Sequence, residues 1–289
     1  MTPASRTTRV NEVGAHEQPG QAPPVTSAEP VVRESPPLGR PVLLRQQWEE
    51  LIYLHWPYEP ADVQRLLPPG VFADTFDGAA WVGLIPFEMR GIRLGRLPSL
   101  PRIGSFAEVN VRTYVTDRLG RRAVWFLSLD VPRWLVVPVA RQCFGVPYCL
   151  AEVTHDVVSG PAGIAEGARH RYRVARRWPT DLACSPVADI SVTVGQRLDD
   201  AEVTPLDHFL SARWGLLAQR GNGPLRYGRV EHEPWPLHEV SDVTVDQDII
   251  EAAGLPTPIG RPLARYSPGV HVSLARPRRV PAGGAVLTP

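Results

Sequence analysis

Three polar side chains recur at alternate positions in the short segment Phe106 to Arg112. If this segment is a strand, Glu108, Asn110 and Arg112 point to one face, because side-chain direction alternates along a strand. A buried glutamate can transfer protons, and an arginine can hold a substrate carboxylate with two hydrogen bonds. The same alternation is typical of the solvated face of an antiparallel sheet, so the spacing leaves both interpretations open.

Three further residues are candidates for the same site, and each has a structural alternative. Tyr148 can donate a hydrogen bond to a developing oxyanion, or its ring can simply pack in the interior. Arg141, at the end of a predicted amphipathic helix, can bind substrate or complement the helix dipole. His55 follows an aromatic run and can lie at a pocket mouth or serve as hydrogen-bonded structure. The candidates are therefore Glu108 and Tyr148 as catalytic residues and Arg112, Asn110, His55 and Arg141 as substrate-binding residues.

The triplet Glu231-His232-Glu233, with His238 close by in sequence, has the residue types of a metal site. On a strand, however, His232 faces opposite to both glutamates, so one ion cannot easily collect all three side chains. No Gly-x-Ser-x-Gly elbow, phosphate-binding glycine loop or Cys/His ligand spacing is present. We therefore expect no bound metal and no cofactor.

The charge balance excludes a general electrostatic attraction to nucleic acid. The formal net charge is +1, from 31 basic and 30 acidic residues. Arg169, Arg171 and Arg173 alternate in one segment and favour a solvated strand face over an anion or RNA patch. We expect a small-molecule ligand and no nucleic-acid partner, and the sequence leaves open whether the chain forms a homo-oligomer.

The cellular compartment is predicted from two features that are not recognisable in the sequence, a membrane-spanning segment and a secretory signal. No apolar run approaches the ~20 residues of a membrane-spanning helix, and no secretory signal is recognisable at the start. Cys143, Cys149 and Cys184 are odd in number and lack paired spacing, which indicates reduced, buried thiols. The expected location is the cytoplasm, without membrane association.

The elements that must position these residues are mainly strands. An aromatic and aliphatic run predicts a strand from Gln47 to Trp56, and a short helix is predicted from Ala61 to Leu67. Asp77-Gly78 between two apolar runs is a strong hairpin signal, and Pro86 in the second run indicates a sheet edge or a bulge. Thr204, followed by proline, predicts a helix start.

The predicted hairpins join Val71 to Phe76 with Ala79 to Met89, Phe106 to Val115 with Ala123 to Val131, and Ala212 to Gln219 with Leu225 to His232. Further strands are predicted at Ala168 to Ala175 and Ala188 to Arg197. Strands joined by hairpin turns, with few short helices, predict an α+β fold that is mainly antiparallel β, closed or partly closed.

Composition divides the chain into three parts. Residues 1–42 are rich in Pro, Ser, Thr, Glu and Gly with few large apolar side chains, which predicts a disordered tail. Residues 43–275 carry the apolar runs and form the predicted domain. Residues 276–289 are again rich in proline and glycine, and we expect this end to be frayed.

The stretch from Ala140 to Val153 resembles the helix-Gly-x-Pro-strand segment of the acetoacetate decarboxylase superfamily. In that superfamily the two residues after the proline are lysines, and the first forms a Schiff base with the substrate ketone. Here those positions hold Tyr148 and Cys149, and all 31 basic residues of the chain are arginine. Arginine stays protonated and cannot form an imine, so the resemblance implies the fold without the Schiff-base chemistry.

Two other groups of motifs are similar to signatures of the YqjF-like family of uncharacterised bacterial proteins, which is grouped with acetoacetate decarboxylase-like folds. The N-terminal group is His55-Trp56-Pro57, Leu66-Leu67-Pro68-Pro69-Gly70, Thr75-Phe76-Asp77-Gly78 and Trp81-Val82-Gly83-Leu84; the C-terminal group is Ala212-Arg213-Trp214 and Val230-Glu231-His232-Glu233-Pro234-Trp235-Pro236-Leu237. The resemblance spans about Leu43 to Leu274 and implies an acetoacetate decarboxylase-like β-barrel. In a closed barrel of that kind, Glu108 would face Tyr148.

Three hypotheses about function follow. The first is a pocket that binds a small organic carboxylate or carbonyl compound without Schiff-base chemistry. The second is a lyase or isomerase that acts on a secondary metabolite, with Glu108 as the proton carrier. The third is a structural or regulatory module, for which we expect an interior filled with side chains.

Overall fold

The structure is a computed structural model that describes residues 27–39, 41–95, 104–158, 166–180 and 185–281. Strands dominate these residues, and the helices are few and short. None of the helices in this described part has the length and apolar character that crossing a membrane requires.

The structure contains the following elements in chain order. The strands are β1 (Val42–Tyr58), β2 (Val71–Ala73), β3 (Thr75–Phe76), β4 (Ala79–Leu94), β5 (Phe106–Asp117), β6 (Arg122–Val131), β7 (Tyr148–Val158), β8 (Arg169–Trp178), β9 (Val187–Arg197), β10 (Gly215–Ala218), β11 (Arg226–His232), β12 (His238–Gln247), β13 (Leu263–Ala275) and β14 (Arg278–Arg279). The helices are α1 (Pro60–Gln64), α2 (Val136–Cys143), α3 (Pro205–Ser211) and α4 (Ile249–Ala252).

All the strands belong to one sheet whose ends meet. The order β6-β7-β8-β9-β12-β13-β1-β4-β5 returns to its start because β5 also pairs with β6. Most neighbours are antiparallel, but β6 pairs in parallel with both β7 and β10. The mainly antiparallel, closed arrangement that the sequence predicts is therefore confirmed as a ring of strands.

The parallel pair β6–β7 was not predicted from the sequence. Helix α2 connects the two strands, and Leu129 and Asp130 lie opposite Tyr148 and Cys149. Parallel neighbours require a crossover connection, which is commonly a helix. This crossover places α2 against the ring of strands and places Tyr148, the first residue of β7, on the inner side of the ring.

The hairpin predictions are confirmed in outline, with changes at their ends. The Asp77-Gly78 turn joins β3 to β4, whereas Val71–Ala73 leaves this hairpin and pairs with β5. Pro86 lies at a bulge and not at a sheet edge, since β4 lies between β1 and β5. The β1–β4 ladder is interrupted between Glu49 and Leu54, opposite Pro86, so the missing proline N–H falls where the ladder has a gap.

Helix α3 begins where the sequence predicts, for the predicted reason. The Thr204 side chain accepts a hydrogen bond from the Asp207 backbone N–H, and the Asp207 side chain accepts from the Thr204 backbone N–H. This capping box satisfies two backbone donors at the helix start. Helix α1, in contrast, is shorter than the predicted Ala61 to Leu67, because regular helix ends at Gln64 and the next residues form turns.

The central strands are buried on both faces. Leu54 of β1 and Val111 of β5 pack in the main apolar core, which also includes residues of β8, β9 and α4. Leu51 and Ile85, which point to the opposite face, belong to a second cluster. Asn110 shares this second side, so polar side chains of β5 lie inside the molecule.

Residues 27–39, which lie in the predicted N-terminal tail, have no regular structure but contact the sheet. The Glu29 backbone N–H donates to the Gly120 carbonyl at 2.8 Å, and the Trp214 indole N–H donates to the Val32 carbonyl at 2.9 Å. Residues 1–26 and 282–289 lie outside the described residues. The predicted division into tail, domain and frayed end stays a prediction.

Two of the cysteines differ in environment. Cys143 is exposed at the end of α2, which contradicts the expectation of a buried thiol, and Cys149 is buried in β7. Burial, together with the Asp130 carboxylate, raises the pKa of the Cys149 thiol. Cys184 lies outside the described residues.

A buried ion pair joins β6 to β8 across β7. The Arg176 guanidinium donates two hydrogen bonds of 2.7 Å to the Asp130 carboxylate, and both side chains are buried. Two parallel hydrogen bonds are the geometry that an arginine and a carboxylate favour. Arg173 of β8 forms a second pair with Asp156 of the neighbouring strand β7, but there both side chains are about half exposed.

Asp130→Asn is expected to lower the free energy of unfolding by about 3 kcal/mol, because it leaves the Arg176 charge buried without a counter-charge. Arginine cannot relieve this by losing its proton. The matched control is Asp156→Asn, which opens the exposed pair and is expected to cost less than about 1 kcal/mol. Urea unfolding of both variants measures the difference, and equal losses would contradict a structural role for the buried pair.

Candidate functional site

A cavity of about 410 Å³ lies between helix α2 and the inner faces of the strands. Its walls come from elements far apart in the chain, chiefly β1, β4, β5, β6, α2 and β11. Most of the lining side chains are apolar. The polar ones include Glu108, Asn110, Arg112, Tyr148 and His232.

Strand β5 supplies three of these polar groups from alternate positions. Glu108, Asn110 and Arg112 are only 2%, 3% and 7% exposed. The strand has neighbours on both sides, β4 and β6, and every residue from Phe106 to Asp117 is buried. The polar face that the sequence shows is therefore an interior face.

Tyr148 meets Glu108 across the cavity. The tyrosine hydroxyl donates to Glu108 Oε2 at 3.1 Å. Pro147 ends the turn after α2, and Tyr148 is the first residue of β7, so the strand direction aims its ring inward. The structure thus brings together the two side chains that the sequence offers as catalytic candidates.

The surroundings of Glu108 favour its protonated form at neutral pH. Burial, with a smaller contribution from the nearby Asp130 charge, raises the pKa of its carboxyl to about 8. Hydrogen bonds from Tyr148 and Asn110 favour the carboxylate and oppose the increase, but they are the weaker effect. A carboxyl with this pKa can give or take a proton near neutral pH.

Arg112 has aromatic neighbours and no carboxylate partner. Its guanidinium carbon lies 5.5 Å from the centre of the Tyr53 ring and 5.7 Å from that of Tyr114. In the described residues no acidic side chain forms an ion pair with it, and its Nε has no hydrogen-bond partner. The cation–π contacts offset only part of the cost of burying the charge.

His55 lies beside this arginine but does not line the cavity. Its Nε2 is 2.6 Å from the Tyr114 hydroxyl, and its ring stacks 6.0 Å from Tyr53. Burial, with a smaller contribution from the Arg112 charge, lowers the pKa of His55 well below its usual value. A Cβ on Gly83 would lie 2.8 Å from His55 Nε2, so only glycine leaves room for the imidazole there.

Arg141 also lies outside the main cavity. Its Nε donates to the Tyr148 carbonyl oxygen at 2.6 Å, and its guanidinium carbon lies 4.5 Å from the Trp178 ring centre. It lines a separate groove formed chiefly by α2, β6 and β10. Arg141 thus contacts the backbone of Tyr148 and not the space in front of its hydroxyl.

Two cavity residues, His232 and Arg213, were not among the sequence-based site candidates. His232 Nδ1 lies 2.7 Å from the Glu233 carbonyl oxygen, which only accepts, so Nδ1 carries the proton and Nε2 is an acceptor. Burial, with a smaller contribution from the Arg112 charge, lowers the pKa of His232 to about 4. Arg213 donates to Asp74 Oδ2 at 2.6 Å, and its Nη2 has no partner in the described structure. Both residues lie in the C-terminal group of family motifs, and this is the sequence feature from which they could have been identified as site candidates.

The raised pKa of Glu108 predicts a specific pH dependence of stability. An unfolded glutamate has a pKa of about 4.3, so between that value and about 8 the folded state binds the extra proton. Stability from this group is present at low pH and is lost as pH rises toward 8, by up to about 1.4 kcal/mol per pH unit. Glu108→Gln is expected to remove this slope.

Urea unfolding of the wild type and of Glu108→Gln between pH 5 and pH 8 measures this effect. The advantage of the variant should grow with pH. Glu152→Gln, at a side chain that is 69% exposed, is the control and should keep the wild-type slope. Parallel pH profiles for all three proteins would show that Glu108 ionises normally.

The sequence matches a known protein family over most of its length. A family model described as DUF2071, an uncharacterized conserved protein, matches residues 45–271. The uncharacterized protein YqjF of Bacillus subtilis (strain 168) is 29% identical over 232 residues, which are 78% of this chain and 87% of that protein. The motifs on which the sequence-based resemblance rests thus lie within the matched region.

Solved structures with similar folds are acetoacetate decarboxylase-like proteins. The enduracididine biosynthesis enzyme MppR in complex with pyruvate superposes with a TM-score of 0.57 at 17% identity, covering 83% of this chain and 90% of MppR. An acetoacetate decarboxylase-like enzyme from Sphingomonas wittichii RW1 also gives 0.57, at 14% identity, covering 87% of this chain and 94% of that one. At such identities the likeness extends to the fold alone. The chain therefore belongs to the DUF2071 family and has the acetoacetate decarboxylase-like fold that its sequence predicts.

Proposed function

We propose that this protein binds a small organic carboxylate or carbonyl compound in the cavity, with an acidic group on Arg112 and without Schiff-base chemistry. One observation carries the proposal. Of the three arginines buried in the described part of the chain, Arg176 is paired with Asp130 and Arg213 with Asp74, whereas Arg112 is paired with no carboxylate.

A buried charge such as that of Arg112 is costly unless a counter-charge lies beside it. Arg112 cannot lose its proton, so the cost of its burial is not relieved by titration. Glu108 does not supply the missing charge at neutral pH, because its pKa of about 8 keeps it protonated. A ligand carboxylate on Arg112 would form the charge-assisted, bidentate hydrogen bonds that suit a guanidinium.

The neighbouring groups can orient the rest of such a ligand. The protonated Glu108 carboxyl, which accepts a hydrogen bond from the Tyr148 hydroxyl, can donate its own proton to a carbonyl oxygen, and the buried Asn110 Oδ1 has no partner in the described structure. His232 Nε2 offers an acceptor in the same cavity. A cavity of about 410 Å³ lies within the usual range for ligand sites.

The absence of lysine shapes the proposed chemistry. MppR is known in complex with pyruvate, a small keto acid, which supports a ligand of this class for the shared fold. No residue of this chain has the side-chain amine that an imine requires, and Tyr148 and Cys149 follow the proline. We therefore propose binding by hydrogen bonds and charge. The open cavity disfavours the alternative of a structural module with an interior filled by side chains.

A second candidate function is supported by Glu108. In a lyase or isomerase, Glu108 would move a proton to or from a ligand held on Arg112, and Tyr148 would stabilise the carboxylate that results. The observation in favour is the raised pKa of about 8 next to a hydroxyl donor 3.1 Å away. Both functions use the same ligand site and differ in whether a bond of the ligand changes.

The binding proposal predicts a thermal shift. Small keto acids, hydroxy acids and ketones are added to the purified protein. A compound at a hundredfold excess over its Kd should stabilise the folded state by about 2.7 kcal/mol, or roughly 5–10 °C in Tm. Arg112→Gln should abolish the shift for acids. Arg171→Gln, which removes an arginine whose side chain is 51% exposed, is the control and should keep it. An equal shift in both variants would contradict the assignment of the carboxylate to Arg112.

The enzymatic alternative predicts a loss of turnover. With a compound that binds, Glu108→Gln is expected to lower kcat by about 10²-fold or more, since a positioned acid or base contributes that much. If Glu108 donates the proton, the wild-type rate should fall as pH rises through about 8. Glu152→Gln is the control, and turnover that survives Glu108→Gln would reject this function.

A further inference from the structure

We infer that the ligand is an amphipathic monocarboxylate, in which a single acidic group is joined to an extended apolar body. This inference rests on the proposed function, because it takes Arg112 as the site of the acidic group. It adds the chemical class of the remainder of the ligand. It depends on the order in which polar and apolar side chains follow one another along the cavity.

The β4–β5 ladder shows this order directly. Paired residues of antiparallel strands point to the same side, so the register fixes which side chains share a level of the cavity. From the inner end outward the pairs are Arg112 with Gly83, Asn110 with Ile85, Glu108 with Phe87, and Phe106 with Met89. The three polar side chains of β5 therefore follow one another from the inner end, and the wholly apolar pair of Phe106 and Met89 lies at the outer end, about 20 Å away at about 3.3 Å per residue.

The other polar groups of the cavity lie mainly at the inner end. Arg213 has its guanidinium carbon 4.8 Å from the Tyr114 ring centre, and Arg112 lies 5.7 Å from the same ring. The His232 ring lies 5.0 Å from the Trp235 ring, and Trp235 packs 5.5 Å from Tyr53, the ring that also contacts the Arg112 guanidinium. Tyr148 lies at the level of Glu108, and Gln46 lies on β1 near the outer end.

The outer end is apolar and reaches solvent beside α2. Phe106 and Met89 share an apolar cluster with Val136 and Val137 of this helix. Leu135 and Val139 line the cavity and are 45% and 58% exposed, so they mark the place where it meets the surface. An apolar body that extends from Arg112 toward Val139 would contact the apolar side chains of this outer end.

The size of the cavity agrees with such a ligand. A volume of about 410 Å³ is in the range that suits drug-sized molecules, and a keto acid of three or four carbons would fill only the polar end. The apolar walls would then gain nothing from binding. Burial of a methylene group is favourable by about 0.8 kcal/mol, which gives each added carbon a measurable effect on affinity.

The test is a chain-length series. Butanoate, hexanoate, octanoate and decanoate are titrated into the full chain by calorimetry. The Kd is expected to fall about fourfold per added methylene, the equivalent of about 0.8 kcal/mol. Decanol, which has the same chain without the acid, is expected to bind at least tenfold more weakly than decanoate. Arg112→Gln should weaken all the acids and bring decanoate to the level of decanol.

A pair of matched variants tests the direction of the apolar body. Val139→Trp adds bulk where the cavity meets solvent and should weaken decanoate by tenfold or more while changing butanoate little. Val187→Trp makes the same change at a residue that is 47% exposed and does not line the cavity, and it should leave both affinities unchanged. Equal effects of the two variants on decanoate would overturn the assigned exit beside α2.

The outcomes separate this inference from the proposed function. An affinity that does not change with chain length, while butanoate still requires Arg112, would overturn the amphipathic class and leave the proposed function standing. Equal binding of decanol and decanoate, unaffected by Arg112→Gln, would overturn the proposed function and with it the acidic end of the ligand. Failure of every acid to bind would overturn both.

Discussion

The cavity and its polar side chains depend on one constraint: strand β5 is buried along both of its faces. Its apolar positions, such as Val109 and Val111, pack into the main core. Its alternate positions carry Glu108, Asn110 and Arg112 into the cavity. Burial of polar groups is costly unless partners satisfy them. The cavity, its hydrogen bonds and its unusual proton state all follow from where this strand lies in the ring.

The buried charges show two different solutions to this constraint. Asp130 and Arg176 satisfy each other through two hydrogen bonds, which makes the pair a structural contact between β6 and β8. Glu108 avoids the cost by keeping its proton, as its raised pKa shows. Arg112 has neither option, because it cannot be neutralised and no described side chain supplies a carboxylate. A residue left in this state inside a cavity is better explained by a ligand than by stability, since an apolar residue would stabilise the same position more.

Local sequence signals predicted many of the elements. The strands that form only by pairing with distant parts of the chain could not be predicted from the sequence. The Asp77-Gly78 turn and the Thr204 cap depend on residues close in the chain, and both appear as expected. Strands β12 and β13 were not predicted. Residues of β12 alternate between partly buried and exposed, and β13 is interrupted by Pro268-Gly269, so neither has a strong apolar period. Both strands form because the neighbouring strands β9 and β1 offer edges to pair with.

The sequence by itself determined that Glu108, Asn110 and Arg112 share one face, because strand alternation is a local property. It also determined that no lysine is available for an imine. Only the tertiary structure decided that this face is buried, that Tyr148 meets Glu108 and that His232 and Arg213 join the same cavity. These facts depend on closure of the strand ring, which brings together segments more than a hundred residues apart. Burial then sets the pKa of Glu108 and leaves Arg112 without a counter-charge, and neither property can be read from residue type and spacing.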